Sequence, residues 1–167
     1  MTKPWAERPP EVANLFNPAF MGSLAYEYVK AHVKAKETDA PLTYLLVAST
    51  VVLHGPTRGR LPGTTITSLP SWSLANEDLL VGFANRQRGI RPYVLEGLRL
   101  AFQASALKTG EGHGLALGER NVGFGARYLR DATAEAKDIV DRMKFAARWF
   151  ARSGSEATVL ATWRVRP

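Results

Sequence analysis

By residue type, only a few places in this chain could do chemistry: three histidines, a glycine-dense loop and two neighbouring acids. His32, His54 and His113 are spread along 167 residues, with no i, i+4 pair and no cysteine anywhere. The sequence therefore supplies neither a helix-borne pair of imidazoles nor a thiolate set for zinc. His32 falls on the apolar side of a helical stretch and reads as a boundary histidine. His54 closes an apolar element, where an imidazole can meet the last carbonyls. Gly110-Glu111-Gly112-His113-Gly114 has the glycine density of a phosphate loop. It lacks the closing lysine and hydroxyl and follows a helix rather than a strand, so it reads as a flexible turn. Glu77-Asp78 comes directly after Asn76 and suits a helix start better than an acid–base pair. No Gly-x-Ser-x-Gly elbow is present. The expectation is a chain with no catalytic centre, no metal and no cofactor.

Surfaces carry more information than sites. Lys137, Lys144, Arg148 and Arg152 align along one helix face. Such a ridge fits either a solvated surface or contact with phosphates or an acidic protein. Phe145 and Trp149, four residues apart, turn away from Met143 and Ala147. They either pack under the last apolar segment or anchor another protein. Tyr93, Leu100 and Leu107 point away from the apolar face of their own helix, with few cations nearby, Arg99 chiefly. Reading a major groove calls for Arg, Lys, Asn or Gln on that side. Exposed aromatic and leucine side chains fit a protein partner better. The formal net charge of +7 permits nucleic acid or an acidic protein without choosing between them.

These residues are to be positioned by one mainly α domain, residues 1–167, with a small β-hairpin. A hydrophobic fraction of 46% and a charged fraction of 22% are those of a globular chain, and the length suffices for a proper core. No apolar run approaches a membrane span, the start Met-Thr-Lys-Pro-Trp is no signal peptide, and cysteine is absent. A cytoplasmic protein with no membrane contact is expected. Pro4, Pro9 and Pro10 predict an extended segment over 1–16. Asn17-Pro18 starts a helix that runs to about Val33. The apolar run 42–53 fits a buried strand or a buried helix, its length and Pro41 favouring helix. Thr64 to Thr67 reads as a short strand, and Ser68 to Leu74 as a short helix with Trp72 and Leu74 as core anchors. One helix opens at Asn76 and another at Pro92, so that two helices meet near Arg91-Pro92. Leu115 to Leu117 and Gly123 to Leu129 then flank Gly118 to Asn121 as a hairpin. Helix, helix and hairpin outline a winged-helix-like core over 41–130. C-terminal helices follow over 133–163, the longest running from Thr133 to Ser153 and ending at Gly154.

The stretch Arg8-Pro9-Pro10-Glu11-Val12-Ala13-Asn14-Leu15-Phe16-Asn17-Pro18-Ala19-Phe20 resembles the middle components of three-component ABC systems. These are bacterial defence modules that include Lamassu-type systems. The resemblance continues at Leu53 to Arg58, Ser68-Leu69 with Trp72, Leu79 to Arg86 and Ile90 to Tyr93. It closes at Ala147 to Gly154 and Val165-Arg166-Pro167. It thus spans nearly the whole chain in order. It implies a non-enzymatic adaptor between an SMC-like ABC ATPase and an effector, often a nuclease, acting against phage or plasmids. Candidate partner contacts on this reading are Arg8, Glu11, Asn14, Phe16, Tyr93, Leu100, Phe145 and Trp149. Lys137, Lys144, Arg148 and Arg152 are candidates for an acidic partner or for non-specific DNA contact within the complex. The alternative is a stand-alone winged-helix DNA-binding regulator, for which the isolated protein would show salt-dependent duplex binding.

Overall fold

In the computed structural model, which describes residues 3–165, a 3-10 turn at Trp5–Glu7 leads into α1 (Pro10–Leu15) and α2 (Pro18–Lys36). There follow α3 (Leu42–Leu53), α4 (Gly55–Gly59), α5 (Leu69–Ala75), α6 (Glu77–Leu80) and α7 (Phe83–Gln103). Strands β1 (Leu107–Thr109) and β2 (Leu115–Leu117) precede α8 (Ala126–Asp131), α9 (Ala134–Ala151) and α10 (Glu156–Thr162). The mainly α class with one small hairpin is the class expected from the sequence. Among the described residues, no helix is long and apolar enough to cross a membrane.

The helices start and stop where local chemistry directs. The Asn17 side chain accepts the Ala19 N–H at 2.9 Å, and Pro18 takes the first helical position of α2, where its missing donor costs nothing. Thr133 and Ser155 cap α9 and α10 in the same way. The apolar run of α3 is buried on all sides from Tyr44 to Val52, which suits a central helix. Its two hydroxyl residues satisfy themselves within the helix, Ser49 donating to the Leu45 carbonyl and Thr50 to that of Leu46.

α2 packs against α7 and α9, and α3 packs against the same two helices. The α2–α7 crossing is close because Gly22 and Gly97 face each other. A Cβ built on Gly22 would stand 2.8 Å from the Gly97 carbonyl oxygen. At the far end of the core, Trp163 lies 4.9 Å from the Phe83 ring and 5.2 Å from that of Trp72, centroid to centroid. Trp72 meets Trp149 edge-on at 5.7 Å. These aromatics join α5, α7, α9 and the end of α10 through the large, geometry-dependent contacts aromatic rings make.

Several expectations are corrected. The helix break near Arg91-Pro92 does not occur: α7 runs through Pro92. An interior proline costs a helix about 3 kcal/mol, but Phe83 before it and Val94, Gly97, Leu98 and Ala101 beyond it are all buried on one continuous helix. Burial of that face outweighs the penalty. The break falls instead at Gly82, in the left-handed region with φ +70°, and separates α6 from α7. The hairpin is displaced too. β1 pairs with β2 antiparallel, Leu107 opposite Leu117, so the turn is the glycine loop and not Gly118 to Asn121. Leu107, expected to face outward, is buried at the start of β1. Residues 126–131 form α8 rather than a strand, and 64–67 form turn and bend rather than a strand. Helices followed by a hairpin are present, but the helix boundary and the hairpin turn lie on other residues than those assigned to the winged-helix-like core. Within the expected extended segment 1–16, residues 10–15 are helical, because Pro10 occupies a position where proline is tolerated. Residues 1 and 2 of that segment, and Arg166-Pro167 at the other end, lie outside the described residues. Trp72 is a core anchor, but Leu74 is 73% exposed. α9 spans 18 residues, shorter than α7 at 21.

His32 sits on α2, buried between the rings of Tyr28 and Tyr44 at 6.2 and 6.0 Å. Burial first, and the Lys36 charge second, hold its pKa down at about 4. The unfolded chain takes up this proton near its ordinary value of about 6.5, whereas the folded chain resists it down to about 4. The resulting stability is present above pH 6.5 and is lost as pH falls towards 4. The loss is on the order of 3 kcal/mol. Urea unfolding at pH 7 and pH 4.5 should show this loss for the natural chain, and a clearly smaller one for His32→Leu.

Candidate functional site

The residues proposed from sequence as partner contacts fall into three groups in the structure. Phe145 and Trp149 belong to the core. They are 6% and 1% exposed, and the Trp149 indole donates to the Thr67 carbonyl at 2.7 Å. Both side chains are buried within the chain, Trp149 against the 65–68 loop and Phe145 against Trp149 and the Arg142 guanidinium, so neither presents a surface to a partner.

Arg8, Phe16 and Tyr93 form a clamp that fastens the N-terminal segment to α7. One guanidinium nitrogen of Arg8 donates to both carboxylate oxygens of Glu96, at 2.8 and 2.6 Å, while its Nε donates to the Lys3 carbonyl at 2.8 Å. The same guanidinium lies 5.3 Å from the Tyr93 ring centre, and Phe16 stacks on that Tyr93 ring at 4.4 Å with 12° between planes. These side chains are occupied within the chain, because Glu96 and Tyr93, one turn apart on α7, offer a carboxylate and a ring to the incoming cation. Arg8→Ala leaves the half-buried Glu96 carboxylate without its partner, at a cost of roughly 2 kcal/mol. Limited proteolysis should then cut between residues 3 and 16 faster than in the natural chain, with α9 unaffected.

Glu11, Asn14 and Leu100 remain exposed. Glu11 and Asn14 line a groove of about 450 Å³ with Leu15, Phe20, Tyr128 and Ile139. Leu15 is 50% and Tyr128 42% exposed, so this groove between α1, α8 and α9 offers apolar surface to solvent.

The basic ridge divides. Lys144, Arg148 and Arg152 line a second groove, of about 460 Å³, between α9 and α2, together with Lys30 and Lys34. Lys137 is outside it and donates to the Arg130 carbonyl at 3.3 Å. At one end of this groove Glu27 is buried. Its carboxylate accepts the Phe124 N–H at 3.1 Å and stands 3.6 Å from the Lys144 ammonium. Lys30, Lys34 and Glu27 were not legible as parts of one surface, because sequence spacing aligns residues along a helix but does not say which other helix lies beside it. The positions 27, 30 and 34 do share a face of α2, which was the only available signal.

The groups that could do chemistry are dispersed. His32 is in the core, His54 shares a 2.7 Å hydrogen bond with the Thr57 hydroxyl, and His113 lies in the hairpin turn with φ +61°. Among the described residues, no group of three or more His, Cys, Asp or Glu is placed to hold a metal ion. The glycine loop holds an internal anion: the Asp39 carboxylate accepts the Gly112 N–H at 2.7 Å, and a Cβ on Gly110 would collide with that same carboxylate. The loop is thereby fixed to the α2–α3 connection, next to the isolated bridge between Ala40 and Leu115.

A family model described as ABC-three component (ABC-3C) system Middle Component 3 matches residues 5–167. No curated protein and no solved structure matches the chain.

Proposed function

The chain belongs to the ABC-three component system Middle Component 3 family, and from that premise we propose that it is a non-catalytic adaptor. In this reading it bridges an SMC-like ABC ATPase and an effector such as a nuclease, in a Lamassu-like system that acts against phage or plasmids. One observation carries the reading: the family match runs over residues 5–167, so the adaptor role is assigned to the entire fold and not to a fragment of it.

The surfaces support the reading in physical terms. A bridging subunit needs two separate faces, and the apolar groove beside α1 and the basic groove beside α2 differ in chemistry. An apolar groove with a polar rim is the ordinary make-up of a protein interface. A groove lined by cations favours a partner of opposite charge and speeds encounter. Contacts to DNA within the assembly, if the ATPase carries it, would fall on the exposed cations such as Arg148. Size-exclusion chromatography of the chain mixed with the ATPase encoded beside it, and separately with the third component, tests the proposal. Co-elution with each of the two is expected. Co-elution with neither would overturn the adaptor reading.

A further inference from the structure

The α2–α9 groove is bordered by two short rails of cations. Lys30 and Lys34 are one turn apart on α2 and exposed, while Lys144 and Arg148 on α9 and Arg152 at its C-terminal cap span about two turns. At 1.5 Å per residue the longer rail measures about 12 Å. Between the rails lie Ala31 and Ala35, which bring methyl groups and nothing polar to the floor. Among the described residues no carboxylate pairs with Lys30, Lys34 or Arg148, and Arg152 reaches only the Thr65 hydroxyl, at 2.9 Å. Glu27, already held by Lys144 and the Phe124 N–H, closes one end.

We infer that this groove docks a short acidic peptide segment, about two helical turns long, from another component of the system. The inference rests on the reading of the chain as a middle component. Three observations favour this occupant. Five cations against one carboxylate call for an anionic partner. The alanine floor accommodates apolar side chains between the carboxylates, and covering it withdraws water from the ion pairs and strengthens them. The positive surface is also short. At the Lys144 end stand two carboxylates, the Glu27 that closes the groove and the exposed Asp141 one turn earlier on α9. A nucleic-acid backbone carries a charge every few ångströms over its whole length and would run onto those acids. A segment about 12 Å long stops before them.

The experiment measures fluorescence anisotropy of a labelled peptide, glutamate-rich with leucine at every fourth position, titrated with the full chain. A labelled mixed-sequence duplex is titrated in parallel. The natural chain is expected to bind the peptide, more weakly as salt rises. Lys30→Glu combined with Lys34→Glu, both on an exposed face, should weaken the peptide by about tenfold or more without moving the melting temperature. A lysine-for-glutamate version of the peptide should bind that variant better than it binds the natural chain. Peptide binding unchanged in the variant would overturn the assignment, as would duplex binding that the same substitutions abolish while the peptide fails to bind. Co-purification separates this proposal from the one beneath it. If the double variant retains every component that the natural chain retains, the groove assignment fails and the adaptor reading stands. If the natural chain retains none, the adaptor reading itself fails.

Discussion

Trp149→Ala is expected to lower the unfolding free energy by about 3–5 kcal/mol, the range for removing a large aromatic from a packed core. The ring is 1% exposed and meets Trp72 at right angles, 5.7 Å between centroids. Its N–H fills the Thr67 carbonyl, which would lose its donor within a loop that the indole holds down. For a chain of this length the melting temperature should fall by roughly 10 °C. Trp149→Phe keeps part of the volume and loses the hydrogen bond, so it should cost less. The consequence for function is direct. A Trp149→Ala chain that no longer joins its complex would report a damaged core, because this side chain has no outer face to offer. Glu11 and Asn14, exposed on α1, are the places to test contact without disturbing the fold. An unchanged melting temperature for Trp149→Ala would contradict the placement of the ring.

Gly97→Val should be at least as damaging. A Cβ at Gly97 would stand 2.8 Å from the Gly22 backbone nitrogen and closer still to Met21. Backbone cannot swing aside as a side chain can, so α2 and α7 would have to separate along the crossing that organises the core. Overpacking of this kind costs about 1–3 kcal/mol for a single methyl, and the branched valine should bring about 4 kcal/mol or prevent folding. Gly89, on the same α7, has nothing within reach of an added Cβ. Gly89→Ala should therefore stabilise by about 0.5–1 kcal/mol through helix propensity alone. Opposite signs at two glycines of one helix, measured by chemical unfolding, would establish that the crossing and not glycine content is what matters.

The parts of the fold that were legible in the sequence are those written locally. Asn17-Pro18 marked the start of α2, Thr133 and Gly154 bracketed α9, and Ser155 opened α10. The parts that were not legible depend on partners distant in the chain. Pro92 reads as a helix start in any local window, and only the burial of α7 on both sides of it keeps the helix continuous. The glycine loop reads as a free turn until Asp39, 73 residues away by hydrogen bond, fills it. The same holds for the candidate contacts. Arg8 lies in a surface-like proline-rich stretch, yet its charge is met by Glu96, 88 residues further on. The basic ridge of α9 was visible from spacing. Its extension across to Lys30 and Lys34 needed the packing of α2 against α9.

The central claim is that the chain lends shaped surface to a larger assembly and holds its other components together. Mass photometry of the purified ATPase and third component, with and without this chain, tests it most directly. The account predicts a ternary particle when all three are mixed and separate particles when this chain is left out. Association of the other two to the same extent in its absence would contradict it.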